Sequence, residues 1–156
     1  MAGDFGRSGD RYVLRLRPFE VDLLRMTVND VQRFVTGEVP ANPITERLFP
    51  DPSFDRKVSG ELRELIEDDL RAGKREAART LLESLPDDGK VSLSEDEAAA
   101  WLTALNDVRL ALGTALGITD DDAREDPDEP MWELYQWFGF LQETLVEALS
   151  GGPATA

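Results

Sequence analysis

Cysteine and histidine are both missing from this chain of 156 residues. Without cysteine it has no disulfide, no thiol nucleophile and no thiol redox switch. Without histidine as well, it lacks the usual ligands of a protein zinc site and the imidazole of a catalytic triad. Carboxylate, lysine or tyrosine chemistry and oxygen-ligand metal sites remain, but no catalytic motif accompanies them. We therefore expect a protein that is not an enzyme and that holds no cofactor and no metal ion.

Long apolar runs and positive charge are also scarce. No apolar stretch reaches the roughly 18 residues of a membrane span, and the first residues lack the apolar segment of a signal peptide, which predicts a cytoplasmic protein. The 17 basic side chains stand against 32 acidic ones, for a net charge of −15. This charge argues against a surface that binds nucleic acid broadly. Residues 1–36 nevertheless carry six arginines against five acids, which leaves a local basic edge.

Hydrophobic periodicity predicts a mostly α fold, a compact bundle of four main helices with a short two-stranded β element. The strand pattern at 11–17 is expected to pair with the pattern at 90–93. Helices are expected at 19–36, at 55–85 with a bend or break at Gly73, from the Ser94 capping box to Gly117, and at 131–149, with one short helical turn at 43–48. One helical domain is predicted at 10–149, between disordered ends at 1–9 and 150–156.

An acidic loop is predicted at 119–130, and its carboxylates raise the question of a calcium site. In the EF-hand spacing, Glu125 stands where the tight-turn glycine is needed and Met131 stands where the last glutamate ligand is needed. We therefore expect a solvated charged loop rather than a metal site.

Arg109 lies in the middle of the apolar stripe of its helix, where a charged side chain needs a partner. Asp69 lies in the apolar stripe of the 55–85 helix in the same way. We therefore predict that Asp69 and Arg109 form a buried ion pair between the two helices, with Glu76 as the competing partner. In this scheme Asp107 lies on the outer face of its helix. An alternative is that Arg109 holds a small anion in a pocket.

Apolar side chains also occur away from the predicted core stripes. They are Leu110, Trp132, Tyr135 and Phe140. Such a second face indicates burial on both sides of the helix or a protein interface, either a homodimer or a contact with another protein. The bland alternative is that the first strand or the proline-rich connector covers these residues.

Arg11, Arg15 and Arg17 project from the outer face of the first predicted strand. They are candidates for contact with DNA phosphates. Pairing with the chain's own acidic residues is the alternative use.

Four segments together resemble a small actinobacterial family, long catalogued as a domain of unknown function and associated with actinomycete oxidation-sensing transcriptional regulators. They are LFPDPSFD at 48–55, ELIEDDLRAGKREAARTLLESL at 64–85, VSLSEDEAAAWLTALNDVRLALGTALGI at 91–118 and ELYQWFGFLQETLVEAL at 133–149. The resemblance implies a cytoplasmic regulator of redox or cysteine-metabolism genes that works with a sigma factor and RNA polymerase, and that senses oxidants through cysteine pairs. Because this chain has no cysteine, a thiol–disulfide switch cannot operate in it.

The favoured hypothesis is therefore a non-enzymatic, transcription-associated regulator in the oxidative stress response that contacts a sigma factor or RNA polymerase. The chain is also a candidate to form a homodimer. The alternatives are a regulator that binds DNA through its N-terminal arginine edge and a small-anion-binding domain centred on Arg109.

Overall fold

The computed structural model describes residues 3–37, 42–49, 60–117 and 130–151. These residues form five helices and three strands, which confirms the prediction of a mostly α fold with a small β element. In chain order they are β1 Gly6–Ser8, β2 Arg11–Arg15, α1 Pro18–Val35, α2 Pro43–Leu48, α3 Gly60–Ser84, β3 Lys90–Leu93, α4 Glu95–Ala115 and α5 Pro130–Leu149.

The helix starts follow from capping chemistry. Ser94 accepts a hydrogen bond from the Glu97 backbone N–H while the Glu97 carboxylate accepts one from the Ser94 N–H, so α4 begins with the predicted capping box. Asn42 caps α2 by accepting from two backbone N–H groups. Pro18 occupies the first turn of α1, where its missing N–H costs nothing.

Helix α3 continues through Gly73, so a break there is wrong, while the alternative of a bend stays a prediction. A glycine inside a helix lowers the stability of the helix by only about 1 kcal/mol relative to alanine, and the turns on either side of Gly73 are enough to keep α3 continuous. The start expected at 55 lies outside the described residues, as does nearly all of the acidic loop at 119–130. Residues 152–156 of the C-terminal tail also lie outside them.

The sheet has three antiparallel strands in the order β1-β2-β3, one more than the sequence predicts. Its expected part is confirmed, because β2 pairs with β3 in the register Tyr12 opposite Leu93. The disorder predicted for residues 1–9 is wrong for the described residues 3–9, which include β1. Phe5 is buried, its ring packs edge-on against Trp101 with 5.8 Å between centroids, and its N–H donates to Thr144 Oγ1. This anchor holds β1 against the body of the protein.

The core forms around α4, which packs against α2, α3 and α5. Trp101 on α4 is fully buried, and its Nε1 donates to Ser84 Oγ at 2.7 Å, which satisfies the indole in the apolar interior. Gly113 allows α5 to approach closely, because a Cβ there would lie 3.2 Å from Tyr135 Cε1. Among the described helices, none combines the length and apolar character that a membrane span requires.

Candidate protein-docking groove

Asp69 and Arg109 do not form the predicted buried ion pair. Both side chains are exposed, and the Arg109 guanidinium lies over the Tyr135 ring of α5, 5.6 Å from its centroid. The competing partner Glu76 pairs with Arg79 on its own helix. The prediction fails because neighbouring helices cover α4 on several sides. The Arg109 side chain projects in the direction that stays open to solvent.

A buried ion pair does join α3 and α4, but it is formed by Lys74 and Asp107. Lys74 Nζ lies 2.6 Å from Asp107 Oδ1, and the two side chains are 14% and 3% exposed. Asp107, expected on the outer face, is therefore in the core. Burial raises the pKa of Asp107, while the hydrogen bond and charge of Lys74 act to lower it. The second carboxylate oxygen, Oδ2, has no hydrogen-bond partner among the described residues.

The residues predicted as an interface lie half-buried along α5 and α4. Trp132 stacks on Tyr135 with 5.6 Å between ring centroids, and both line a shallow depression of about 570 Å³ together with Arg109 and Phe140. Leu110 packs against the core instead and is not part of this lining. The structure thus brings three of the four residues together around Arg109, and their role as an interface stays a prediction.

The arginines predicted to contact DNA are exposed on the N-terminal strand and just after it. Arg11 is engaged within the chain, since it donates to Ser92 Oγ and Ser92 O and lies 3.9 Å from a Glu97 carboxylate oxygen. Arg15 lies directly opposite Lys90 in the β2–β3 ladder, which places two like charges side by side. Contact of Arg11, Arg15 or Arg17 with DNA stays a prediction.

An apolar groove of about 690 Å³ lies between α1, α4 and α5. We call it the α1–α5 groove. Its rim includes large apolar side chains that solvent reaches, namely Phe19 at 60%, Met26 at 56% and Met131 at 43% exposure. Its remaining apolar lining is Leu23, Val31, Phe34, Ile44, Ala111, Leu112, Ala115, Pro130, Leu134 and Trp137.

The charged residues that the structure describes along the α1–α5 groove are all acidic. They are Glu20, Asp30 and Glu133, and this described lining contains no lysine or arginine. The Glu20 carboxylate accepts a hydrogen bond from the Arg17 N–H at the start of α1, and the Thr27 hydroxyl donates to Leu23 O. These two polar groups are therefore satisfied within the chain. By contrast, the buried Trp137 Nε1 finds no hydrogen-bond partner in the described part of the chain.

Within the four described ranges, no group of three or more acidic, histidine or cysteine side chains is placed to hold a metal ion.

Comparison with known proteins gives the chain a family. The family model described as a domain of unknown function, DUF2017, matches residues 1–149. The chain belongs to the DUF2017 family. A protein from Mycobacterium leprae, named putative oxidative stress regulator AosR, is 33% identical over 183 aligned positions, which cover 91% of this chain and 84% of that protein. Proteins from Mycobacterium bovis and Mycobacterium tuberculosis, both named oxidative stress regulator AosR, are 31% identical, with 93% of this chain and 85% of theirs covered. No solved structure matches the chain.

The family assignment confirms the resemblance seen in the sequence. Because 183 aligned positions exceed the 156 residues of this DUF2017 chain, the mycobacterial relative contains inserted segments that this chain lacks. The identity nevertheless extends over most of both proteins, so the two share the helical body.

The α1–α5 groove of this DUF2017 chain is the feature that the sequence analysis did not predict. The sequence of α1 already indicates it, because Phe19, Leu23, Met26 and Phe34 form a second apolar stripe, about 140° from the stripe that faces the core. A helix that is apolar on two sides needs cover on both, and here the second side faces the groove.

Proposed function

We propose that this chain is a non-enzymatic regulator in the oxidative stress response that acts by docking a protein partner in the α1–α5 groove. The groove itself carries the proposal, because large apolar side chains clustered on one exposed face indicate a binding surface. The names of the mycobacterial relatives support the regulatory part. The cysteine- and histidine-free composition supports a role without catalysis.

The α1 wall of the groove is long enough to hold a short helix. Its α1 wall extends from Phe19 to Phe34, and this span of an α-helix is about 22 Å long. An amphipathic helix of about four turns fits along such a wall and places its apolar face on the lining. The occupant we propose is therefore a helical segment rather than a small molecule.

Charge indicates which kind of helix binds. The acidic lining residues, including Asp30 and Glu133, belong to a chain with a net charge of −15. Like charges oppose a second copy of the chain at this site, and lysine or arginine on the polar face of the occupant complements it. The partner is thus a different protein that presents a basic amphipathic helix.

A sigma factor or a subunit of RNA polymerase is the partner class that we propose, with redox or cysteine-metabolism genes as the regulated set. This part rests on the likeness to regulators of oxidative stress and on the basic helix that the groove requires. It implies that the chain works in the cytoplasm, where such a partner is found.

The test measures binding of purified, fluorescently labelled sigma factors and RNA polymerase from the source bacterium to the full chain. Phe19→Gln removes an apolar rim side chain that is 60% exposed, whereas Leu65→Gln makes the same kind of change on α3, at 65% exposure and outside the groove. We expect Phe19→Gln to cost about 1–2 kcal/mol of binding, or roughly 5- to 30-fold in Kd. Equal effects of the two variants, or no binding at all, would exclude this docking mode.

Direct binding to DNA is the competing function, favoured by the Arg15–Lys90 pair on the outer sheet face. A promoter fragment shifted by the chain at low salt, and no longer shifted after Arg15→Gln and Arg17→Gln, would support it. We expect no shift, because the net charge of the chain repels the phosphate backbone.

A further inference from the structure

The α1–α5 groove contains both of the chain's internal methionines. The sequence has three methionines and no cysteine, so Met26 and Met131 hold every sulfur atom after the first residue. One lies on α1 and the other on α5, far apart in sequence, yet both line the same groove, at 56% and 43% exposure.

We infer that oxidation of Met26 and Met131 to methionine sulfoxide switches off docking in this groove. The inference rests on the proposed function, because it requires that the groove bind a partner. It supplies an oxidant response to a chain in which cysteine chemistry is impossible.

The chemical step needs only a two-electron oxidant that donates oxygen, of which hydrogen peroxide is the simplest. A lone pair of the thioether sulfur attacks one peroxide oxygen, and the O–O bond breaks. The departing hydroxide takes the proton from the oxygen that is now bound to sulfur, and it leaves as water. Sulfur is oxidised by two electrons and the peroxide is reduced by two. Methionine sulfoxide reductases return the sulfoxide to the thioether.

The position of the two sulfurs determines the effect of this step. A thioether is apolar and flexible, so it packs well against the side chains of a docked helix. A sulfoxide carries a strongly polar S=O group, and here it would lie among Phe19, Leu134 and other apolar lining residues. Docking would then bury this polar oxygen in an apolar interface, which disfavours the complex. Because both side chains are exposed, oxidation leaves the core intact.

The experiment uses a labelled model helix of leucine and lysine, about 18 residues long, as the probe for the full chain. Its Kd is measured by fluorescence anisotropy before and after treatment with hydrogen peroxide. Peptide mass spectrometry follows the gain of one oxygen atom at each methionine. We expect both sites to oxidise, the helical circular dichroism to persist, and the Kd to rise about tenfold or more. Methionine sulfoxide reductase should restore the original Kd.

The matched variant is Met26→Leu combined with Met131→Leu, which keeps both positions apolar but removes the sulfur. The Kd of this variant for the probe is first measured without peroxide, and peroxide should then leave that value unchanged. If the untreated chain fails to bind the probe, the proposed docking function is wrong. If the chain binds equally well with both methionines oxidised, docking stands and the switch is wrong. A loss of binding that also occurs in the double-leucine variant places the damage elsewhere and equally overturns the switch.

Discussion

The buried Lys74–Asp107 pair predicts that mutations at its two positions are strongly non-additive. With Nζ and Oδ1 2.6 Å apart and Asp107 only 3% exposed, Lys74→Met leaves a carboxylate in the core without its cation. The expected loss in the free energy of unfolding is about 3–5 kcal/mol. Asp107→Leu leaves the ammonium of Lys74, whose flexible stem lets it reach solvent, and about 2–3 kcal/mol is expected.

The double variant Lys74→Met and Asp107→Leu removes both charges and also the unpartnered Asp107 Oδ2. We expect it to lose no more than about 1–2 kcal/mol, since apolar residues often replace a buried ion pair at little cost. The coupling energy is then at least about 3 kcal/mol. Urea unfolding monitored by tryptophan fluorescence, to which the buried Trp101 contributes, measures the stability of all four proteins.

A second cycle serves as the control. Asp69→Leu and Arg109→Met change the pair that the sequence predicts, and both side chains are exposed in the structure. Their effects should add to within about 0.5 kcal/mol. If the losses at Lys74 and Asp107 also add, the two side chains do not stabilise each other and a buried, coupled ion pair between α3 and α4 is refuted.

Three further predictions concern stability. Burial raises the pKa of Asp107 above its unfolded value of 3.8, so the stability that this carboxyl contributes is fully present below that pH and is lost as pH rises through the folded pKa. The difference in the free energy of unfolding between the original chain and Asp107→Asn should therefore fall as pH increases. A rise in this difference would contradict the prediction. In urea unfolding, Gly89→Ala should lower the free energy of unfolding by at least about 1 kcal/mol more than Gly9→Ala does. Both glycines have positive φ, but only at Gly89 would a Cβ collide with Leu16 O. Equal losses of stability in the two variants would exclude that contact. Phe5→Ala should cost about 3–5 kcal/mol in thermal or urea unfolding while Phe19→Ala costs little, because only the first ring is buried, and a small loss at Phe5 would show that β1 is not anchored.

Local patterns were enough to predict most of the elements. Helices α1, α4 and α5 have periodic apolar residues that belong to their own segments, α4 also begins with a capping box, and β2 has clean alternation. Strand β1 has no such pattern, because its residues Gly-Arg-Ser carry no apolar face. It forms because β2 offers hydrogen bonds and Phe5 is held by Trp101, and such contacts are tertiary.

The predicted ion pair failed for a related reason. A helical wheel gives the angle of a side chain but does not say which neighbour lies there, nor how much of the helix is covered. In α3 only the second half reaches the core, with Ala77 and Leu81 buried. The first half leaves Leu65 and Leu70 65% and 41% exposed, and Asp69 lies between them. Asp69 therefore lies on the exposed part of α3, and the predicted buried pair with Arg109 does not form.

Part of the candidate site could be predicted from the sequence. Three aromatic residues of α5 lie outside the apolar stripe that faces the core, and the sequence therefore indicated that they do not belong to the core. They are Trp132, Tyr135 and Phe140. The second apolar stripe of α1 was equally readable. That Met26 of this stripe meets Met131 of α5 in one groove depends on how α1 packs beside α4 and α5, and one sequence alone does not determine this packing.

The hydrogen bond from the Phe5 N–H to Thr144 Oγ1 joins residues 139 positions apart, near opposite ends of the described chain. On the ribosome, Phe5 emerges early and must wait for α5 before its ring can be enclosed. Until then the aromatic side chain stays open to other chains and the Phe5 N–H lacks its acceptor on α5. Folding of the described body therefore cannot finish before α5 has been synthesised, and dilution or chaperones should improve its yield more than slower translation would.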